Sequence, residues 1–419
     1  MKQVVNSVEK WLTIALLCLS GSILFWLPFL SEFYYVPMQQ AFGFSKTQMG
    51  ALSSVFGFCA LIGYIPGGWL ADRFEPRDLL AIALALTGMT GFIYSTLPSF
   101  EISLLLYATW GLSSAFIFWA ALIKATRNWA PREEQGRAFG LLEGGRGIVD
   151  LATATILLGI FALLGSDGMA LSRVIQLISI SLLALAILVW FNIKKDTDLG
   201  NESRVGKSTL SLADSIAVLK LPVVWLIAII IMGVYSGLWG TIFFTPYATE
   251  VYALGAVLGG AIAVGKLWVK PFAAIVAGIV ADRVGASKTV VGGLTIMMIG
   301  FAVFAAVPGN SNMIPFLVIN VAIISTMVFA LRGIYFALLE QGGIPIAVTG
   351  AATGIASVIG FTPEVFLPVV GGMLLDASPG PRGYQNFFLV IAGLNFIGLV
   401  AAFLLYRKTS ATRRDLQSP

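Results

Sequence analysis

Apolar residues in this chain arrive in long runs broken by short polar turns. A helix needs about 20 apolar residues to cross ~30 Å of hydrocarbon. Twelve runs of that kind are present, at approximately 11–37, 47–71, 78–98, 102–124, 138–165, 171–193, 222–247, 254–281, 288–308, 313–336, 346–374 and 384–406. Most connections are a few residues, such as Pro98-Ser99-Phe100 and Pro308-Gly309-Asn310. The exception is 194–220, KKDTDLGNESRVGKSTLSLADSIAVLK, which is polar and charged and divides the runs six from six. The pattern predicts an all-α membrane protein of twelve transmembrane helices. Residues 1–193 form one six-helix bundle, 194–220 a cytoplasmic linker, and 221–419 a second bundle with a short tail. The alternation of a membrane barrel is absent.

Composition narrows the function. The 419 residues are 58% hydrophobic and 11% charged, against about 25% charged in a soluble domain. The 45 glycines suit helices that pack closely in lipid. With no histidine, His-based catalysis, metal binding and proton relay are excluded. No nucleophile–base set or metal-ligand spacing is visible, so neither an enzyme nor a cofactor is expected. No basic run is long enough for nucleic acid. Cys18 and Cys59 both lie in apolar runs and read as buried filler. The first apolar run has full membrane length, unlike the core of a cleaved signal peptide. With both termini in the cytoplasm, nineteen Lys and Arg fall in inner loops and tails and three, Lys46, Arg173 and Arg382, in outer loops. That bias predicts a multi-pass protein of a bacterial inner membrane, expected to be a monomer.

Two short stretches repeat. Gly68-Trp69-Leu70-Ala71-Asp72-Arg73, followed by Arg77, recurs 210 residues later as Gly278-Ile279-Val280-Ala281-Asp282-Arg283, followed by Lys288. A shift of 214 also overlays Gly136, Gly140 and Asp150 on Gly350, Gly354 and Glu364. Two parallel six-helix repeats are implied. Asp72 at a helix end can accept hydrogen bonds from Arg or backbone N–H groups, and Gly68, one turn earlier, leaves room for another helix.

With its twelve spans, polar central loop and GGWLADRFEPRD turn, nearly the whole chain resembles the major facilitator superfamily. The family pattern in that turn is Gly, three residues, Asp, Arg or Lys, one residue, Gly, one residue, Arg; this chain has Glu75 for the second Gly, beside Pro76. The resemblance implies two bundles rocking about a central cavity lined by helices 1, 4, 7 and 10. It implies that Asp72, Arg73 and Arg77 latch the inner side, with Asp282 and Arg283 as their counterparts.

Eight charges fall inside expected spans: Arg146, Lys266, Lys270 and Arg332, and Glu32, Glu143, Asp150 and Glu364. Each costs about 2.5–3.5 kcal/mol at mid-span, so each is expected to face a partner, a watery cavity or a ligand. Lys266 and Lys270 are one helical turn apart on one face and repel each other; an anion opposite them relieves this. In several anion-carrying branches of the family a basic residue of helix 8 binds substrate, a resemblance of position only. The alternative is internal pairing: Asp150 with Lys266 or Lys270, and Glu143 with Arg146. Arg332 either snorkels to the inner surface or floors the cavity. Glu32, Asp150 and Glu364 are candidate proton carriers. Trp26, Tyr34, Trp119, Tyr235, Trp239 and Tyr335 are candidate aromatic walls.

These readings lead to a secondary transporter of a small organic anion, with Lys266, Lys270, Arg146 and Arg332 as anion ligands beside Trp119, Tyr235 and Trp239. Coupling to protons follows if Asp150 occupies a lysine in the empty state and protonation frees it. An exporter of apolar or cationic compounds, with Glu32 at its site, and a non-transporting membrane sensor are the alternatives.

Overall fold

The computed structural model describes residues 7–130, 134–194, 220–307, 309–344 and 349–417, all helical or in turns. The chain divides into two compact units, Met1–Gly206 and Lys207–Pro419. Most of the polar stretch expected as a linker, 195–219, lies outside the described residues.

The first unit holds α1 (Ser7–Ile23), α2 (Ser31–Phe42), α3 (Lys46–Arg73), α4 (Pro76–Tyr94), α5 (Phe100–Leu112) continued through a π-helical segment Ser113–Trp119 into α6 (Ala120–Trp129), α7 (Gln135–Leu163) and α8 (Gly168–Asn192). The second holds α9 (Pro222–Ile242), α10 (Phe244–Glu250), α11 (Ala256–Val284), α12 (Ala286–Ala306), α13 (Ile314–Ile334), α14 (Ala337–Gln341), α15 (Thr349–Gly360), α16 (Pro363–Ala377) and α17 (Pro381–Gln417).

Among the described residues, eleven helices are long and apolar enough to cross a membrane. The first expected span differs: it is broken into α1, of 17 residues, and α2, of 12. Pro28 explains the break. It has no N–H, and its ring clashes with the carbonyl one turn back. The chain answers with tight turns, Phe25 N–H to the Ser22 carbonyl and Trp26 N–H to the Ile23 carbonyl, both at 3.1 Å. The eleventh span bends between α15 and α16, where Pro363 opens the second piece.

The two units use one packing plan. The first and fifth spans pack together (α1 on α7), as do the seventh and eleventh (α9 on α15 and α16). The second packs on the fourth and the eighth on the tenth (α11 on α13), while the third packs on the sixth and the ninth on the twelfth (α12 on α17). Identical pairing in both units is what the duplicated turn implied.

Small residues permit these approaches. A Cβ on Gly233 of α9 would lie 2.9 Å from the Gly398 Cα of α17, whereas one on Gly393 would meet nothing within 4 Å. Gly233→Ala is therefore expected to cost about 1–3 kcal/mol by overpacking, and Gly393→Ala little. Thermal unfolding of the two purified variants in detergent checks this; equal midpoints would contradict it.

The duplicated turn is closed differently in its two copies. Gly285 follows α11 with φ +96°, a conformation that costs a Cβ-bearing residue dearly. Its counterpart, 210 residues earlier, is Glu75, with φ −69° and ψ 131° before Pro76. Proline confines the preceding residue to such extended backbone, so the first copy reverses direction without the family's second glycine.

Candidate functional site

In the first unit, the charged face of α7 meets α1. Arg146 donates from Nε to the Gly21 carbonyl at 2.9 Å and from Nη1 to Glu143 Oε1 at 2.7 Å. A Cβ on Gly21 would lie 3.0 Å from the Arg146 Cδ and Nε, so the glycine makes room for the guanidinium. Trp119 ends the π-helical segment and stacks over the same guanidinium at 5.3 Å. A π segment inserts extra backbone into a turn and re-aims the side chains that follow it. One turn beyond Arg146 on α7, Asp150 accepts a hydrogen bond from the Ser22 hydroxyl.

The second unit contains a similar arrangement. Tyr235 on α9 donates to Glu364 Oε2 at 2.8 Å. Glu364 stands in the first turn of α16, just after the bend. The Arg332 guanidinium, in the last turn of α13, lies 6.0 Å from the centre of the Tyr235 ring, within cation–π range. It interacts electrostatically with Glu364 and with the Tyr335 hydroxyl. Three residues chosen from sequence, Tyr235, Arg332 and Glu364, thus form one cluster contributed by three spans.

Lys266 is 3% exposed. Its ammonium donates to Thr241 Oγ1 at 3.1 Å and to the Thr241 carbonyl at 3.4 Å. Lys270, one turn further along α11, is half-buried, and Trp268 faces outward, 58% exposed. Trp239 is 2% exposed and belongs to the bundle interior. Trp26 stacks on Phe33 with ring centres 4.8 Å apart, and Tyr34 meets Phe161 edge-on at 4.9 Å, so both are packing residues. Glu32 lies half-buried in the first turn of α2. Cys18 is buried, as expected, while Cys59 is half-buried.

The motif turns carry contacts that the sequence did not announce. Lys124 donates to the Ala71 carbonyl at 3.0 Å and the Phe74 carbonyl at 3.3 Å, satisfying acceptors left open at the end of α3. Arg73 stacks on Trp69 at 3.9 Å. Arg77 reaches Asp78 at 3.2 Å and lies 4.8 Å from the Trp190 ring of α8. In the second unit Lys288, which follows the repeated turn, lies 6.0 Å from the Tyr406 ring of α17. Asp282 and Arg283 are exposed, and the Asp72 side chain lies outside those described. Among the described residues a Cβ on Gly68 meets nothing within 4 Å, whereas one on Gly67 would lie 2.6 Å from the Ala115 carbonyl.

Ser22, Thr241 and Lys124 were missed because hydroxyls in apolar runs look like filler and an inner lysine looks like a topology signal. A signal existed for Ser22: it precedes Tyr235 by 213 residues, nearly the spacing of Asp150 and Glu364. A cavity of about 380 Å³ in the first unit, between Lys10, Trp129 and Lys194, contains none of the chosen residues. Chemically, the clusters offer guanidinium and ammonium groups to an anion, and carboxyls held by neutral hydroxyls.

Comparison with known proteins fits this architecture. The chain is 28% identical to the Escherichia coli K12 inner membrane protein YqcE over 410 residues (96% of each chain). It is 28% identical to the inner membrane protein YihN of the same organism over 416 residues, covering 97% of this chain and 98% of that one. A 108-residue segment is 32% identical to the Bacillus subtilis protein named "Probable galactarate/D-glucarate transporter GudP", covering 24% of this chain and 23% of that one. The fold superposes on the crystal structure of a bacterial homologue of the human lysosomal transporter Spinster with TM-score 0.76, at 12% identity, over 98% of this chain and 99% of the other. The family model described as Major Facilitator Superfamily matches residues 11–362. With its repeated six-helix plan, the chain belongs to the Major Facilitator Superfamily and is a membrane transporter, not an enzyme.

Proposed function

We propose that this transporter carries a small organic anion (a carboxylate, sugar acid, sulfonate or organophosphate) across a bacterial inner membrane together with protons. The observation that carries the reading is the formal charge of the second unit's spans. Lys266, Lys270 and Arg332 stand against one mid-span carboxylate, Glu364. In this unit an anion gains from the excess and a cation does not, while the first unit, with Arg146 against Glu32, Glu143 and Asp150, carries the opposite balance. The partial likeness to a protein named for galactarate and D-glucarate supports the same class, and the two inner membrane relatives support the location.

Within this reading the two lysines differ. Lys266 is anchored through Thr241 and supplies field; Lys270, half-buried one turn away, meets the anion. Arg332 is the second ligand, and Glu364 sets its availability. Ionised Glu364 draws Arg332 and accepts the Tyr235 hydroxyl. A proton on Glu364 cancels that attraction and leaves the guanidinium to the incoming anion. Proton and anion then bind together, the requirement of symport. In the first unit Arg146 and Trp119 form a lesser cationic wall, and the Asp72, Arg73, Arg77 and Asp282, Arg283 turns serve as gates.

A thermal-shift screen of the purified protein tests the class. The panel holds galactarate, D-glucarate, a hexose phosphate, a short monocarboxylate and a sulfonate, with galactitol and a lipophilic cation as contrasts. At least one anion is expected to raise the unfolding midpoint, and galactitol is not. Stabilisation by the cation alone would replace this reading with an exporter.

A further inference from the structure

Four helix ends of the first unit enclose the cavity of about 380 Å³, which holds none of the residues assigned to cargo or proton. α1 begins at Ser7 and α4 at Pro76, while α6 ends at Trp129 and α8 at Asn192. Lys10, Pro76, Trp129 and Asn192 bring one wall from each. A space of that size takes a small molecule or a headgroup, far more than a single water.

Its walls hold positive charge in place without cancelling it. The Lys10 ammonium lies 4.8 Å from the centre of the Trp129 ring. That ring is itself fixed: its indole N–H donates to the Lys10 carbonyl at 2.6 Å, and Trp11 meets it edge-on at 6.0 Å. An aromatic face attracts a cation through its quadrupole but carries no net charge, so the ammonium keeps its pull on an anion. Lys194 reaches Glu9 at 2.8 Å, with side chains 40% and 51% exposed. An ion pair so open to solvent is weak, and a second anion can displace Glu9 from it. The charged lining residues are Lys10 and Lys194 against Glu9, two positive to one negative.

The surroundings indicate what kind of anion. Trp11 is 51% exposed and Trp190 43% exposed, one near each of two lining helix ends. The Trp190 ring carries the Arg77 guanidinium at 4.8 Å, and Arg77 adjoins Pro76 of the cavity wall. Exposed indoles at the ends of membrane spans sit at headgroup level. Lysine and arginine beside them attract the anionic lipids of the cytoplasmic leaflet, the side on which the Lys and Arg bias sets these ends.

We propose that this cavity binds the phosphate headgroup of an anionic phospholipid between Lys10 and Lys194, with Glu9 as the competitor that the lipid displaces. The site is separate from the cargo site and does not depend on what the cargo is.

Native mass spectrometry of the purified full chain, exchanged into mixed micelles holding phosphatidylglycerol or phosphatidylcholine, tests this. Differences between wild type and variants isolate the cavity from lipid bound elsewhere. Wild type is expected to retain phosphatidylglycerol in preference to phosphatidylcholine. Lys10→Gln and Lys194→Gln should each weaken that retention about fivefold. Glu9→Gln should strengthen it, a gain that a folding defect does not imitate. Glycerol phosphate, a headgroup without acyl chains, should compete only weakly. Equal retention of the two lipids, or retention of phosphatidylglycerol unchanged in all three variants, overturns the site. Glycerol phosphate bound as tightly as phosphatidylglycerol overturns its lipid occupant.

Discussion

Glu364→Gln is expected to bind anion equally well in acid and in alkali and to lose proton-driven accumulation. Glutamine keeps the size of the side chain and can still accept from the Tyr235 hydroxyl, as Glu364 does at 2.8 Å. It never carries the charge that draws Arg332, so the variant resembles the protonated state permanently. In wild type, anion-induced stabilisation should grow as pH falls, because protonation of Glu364 frees the guanidinium. In the variant that slope should vanish. Each coupled proton contributes about tenfold accumulation per pH unit of gradient, so uptake into proteoliposomes with an imposed gradient should fall by that factor per unit. Exchange of labelled for unlabelled anion across equal pH should survive. A variant that keeps the wild-type pH slope would remove Glu364 from the coupling step.

The second large effect separates the two lysines. A charge-assisted hydrogen bond contributes about 1.5–3 kcal/mol, so Lys270→Gln should weaken anion affinity by roughly tenfold to a hundredfold. Lys266→Gln should act differently. Lys266 is 3% exposed, and its ammonium is bound to both the hydroxyl and the carbonyl of Thr241. Removing it leaves buried acceptors on α9 without their donor, which costs about 1–3 kcal/mol and lowers the midpoint of the free protein. The readouts are the midpoint without ligand and the dissociation constant with it. Equal behaviour of the two variants in both would erase the distinction drawn between anchor and ligand.

The spans were readable because lipid leaves so little freedom: a backbone that cannot meet water must be helical across the full hydrocarbon thickness. Eleven long helices follow from that rule. The exception, α1 and α2, was marked in the sequence by Pro28, whose missing N–H forbids a continuous ladder there. The π-helical segment Ser113–Trp119 carried no such mark. Its slipped hydrogen bonding depends on what the neighbouring spans leave room for, and nothing in Ser-Ser-Ala-Phe-Ile-Phe-Trp states that.

The site was legible where it was charged. Glu143 with Arg146, and Tyr235, Arg332 and Glu364, were all singled out because ionisable or amphipathic groups are costly in lipid and must find company. Their neutral partners were not, since Ser22 and Thr241 cost little alone and gain meaning only from the atom they face. Gly67 and Gly68 show the same limit. Both are compatible with close packing, and only the helix's rotation puts Gly67 against the Ala115 carbonyl.

Calorimetric titration of wild type and Lys270→Gln, with the most stabilising anion and with its uncharged analogue, addresses the central claim directly; galactarate with galactitol is such a pair. The account predicts that wild type binds the anion, that the uncharged analogue gives no measurable heat, and that Lys270→Gln binds the anion at least tenfold more weakly. Equal affinity for the uncharged analogue, or a Lys270→Gln protein as tight as wild type, would contradict it.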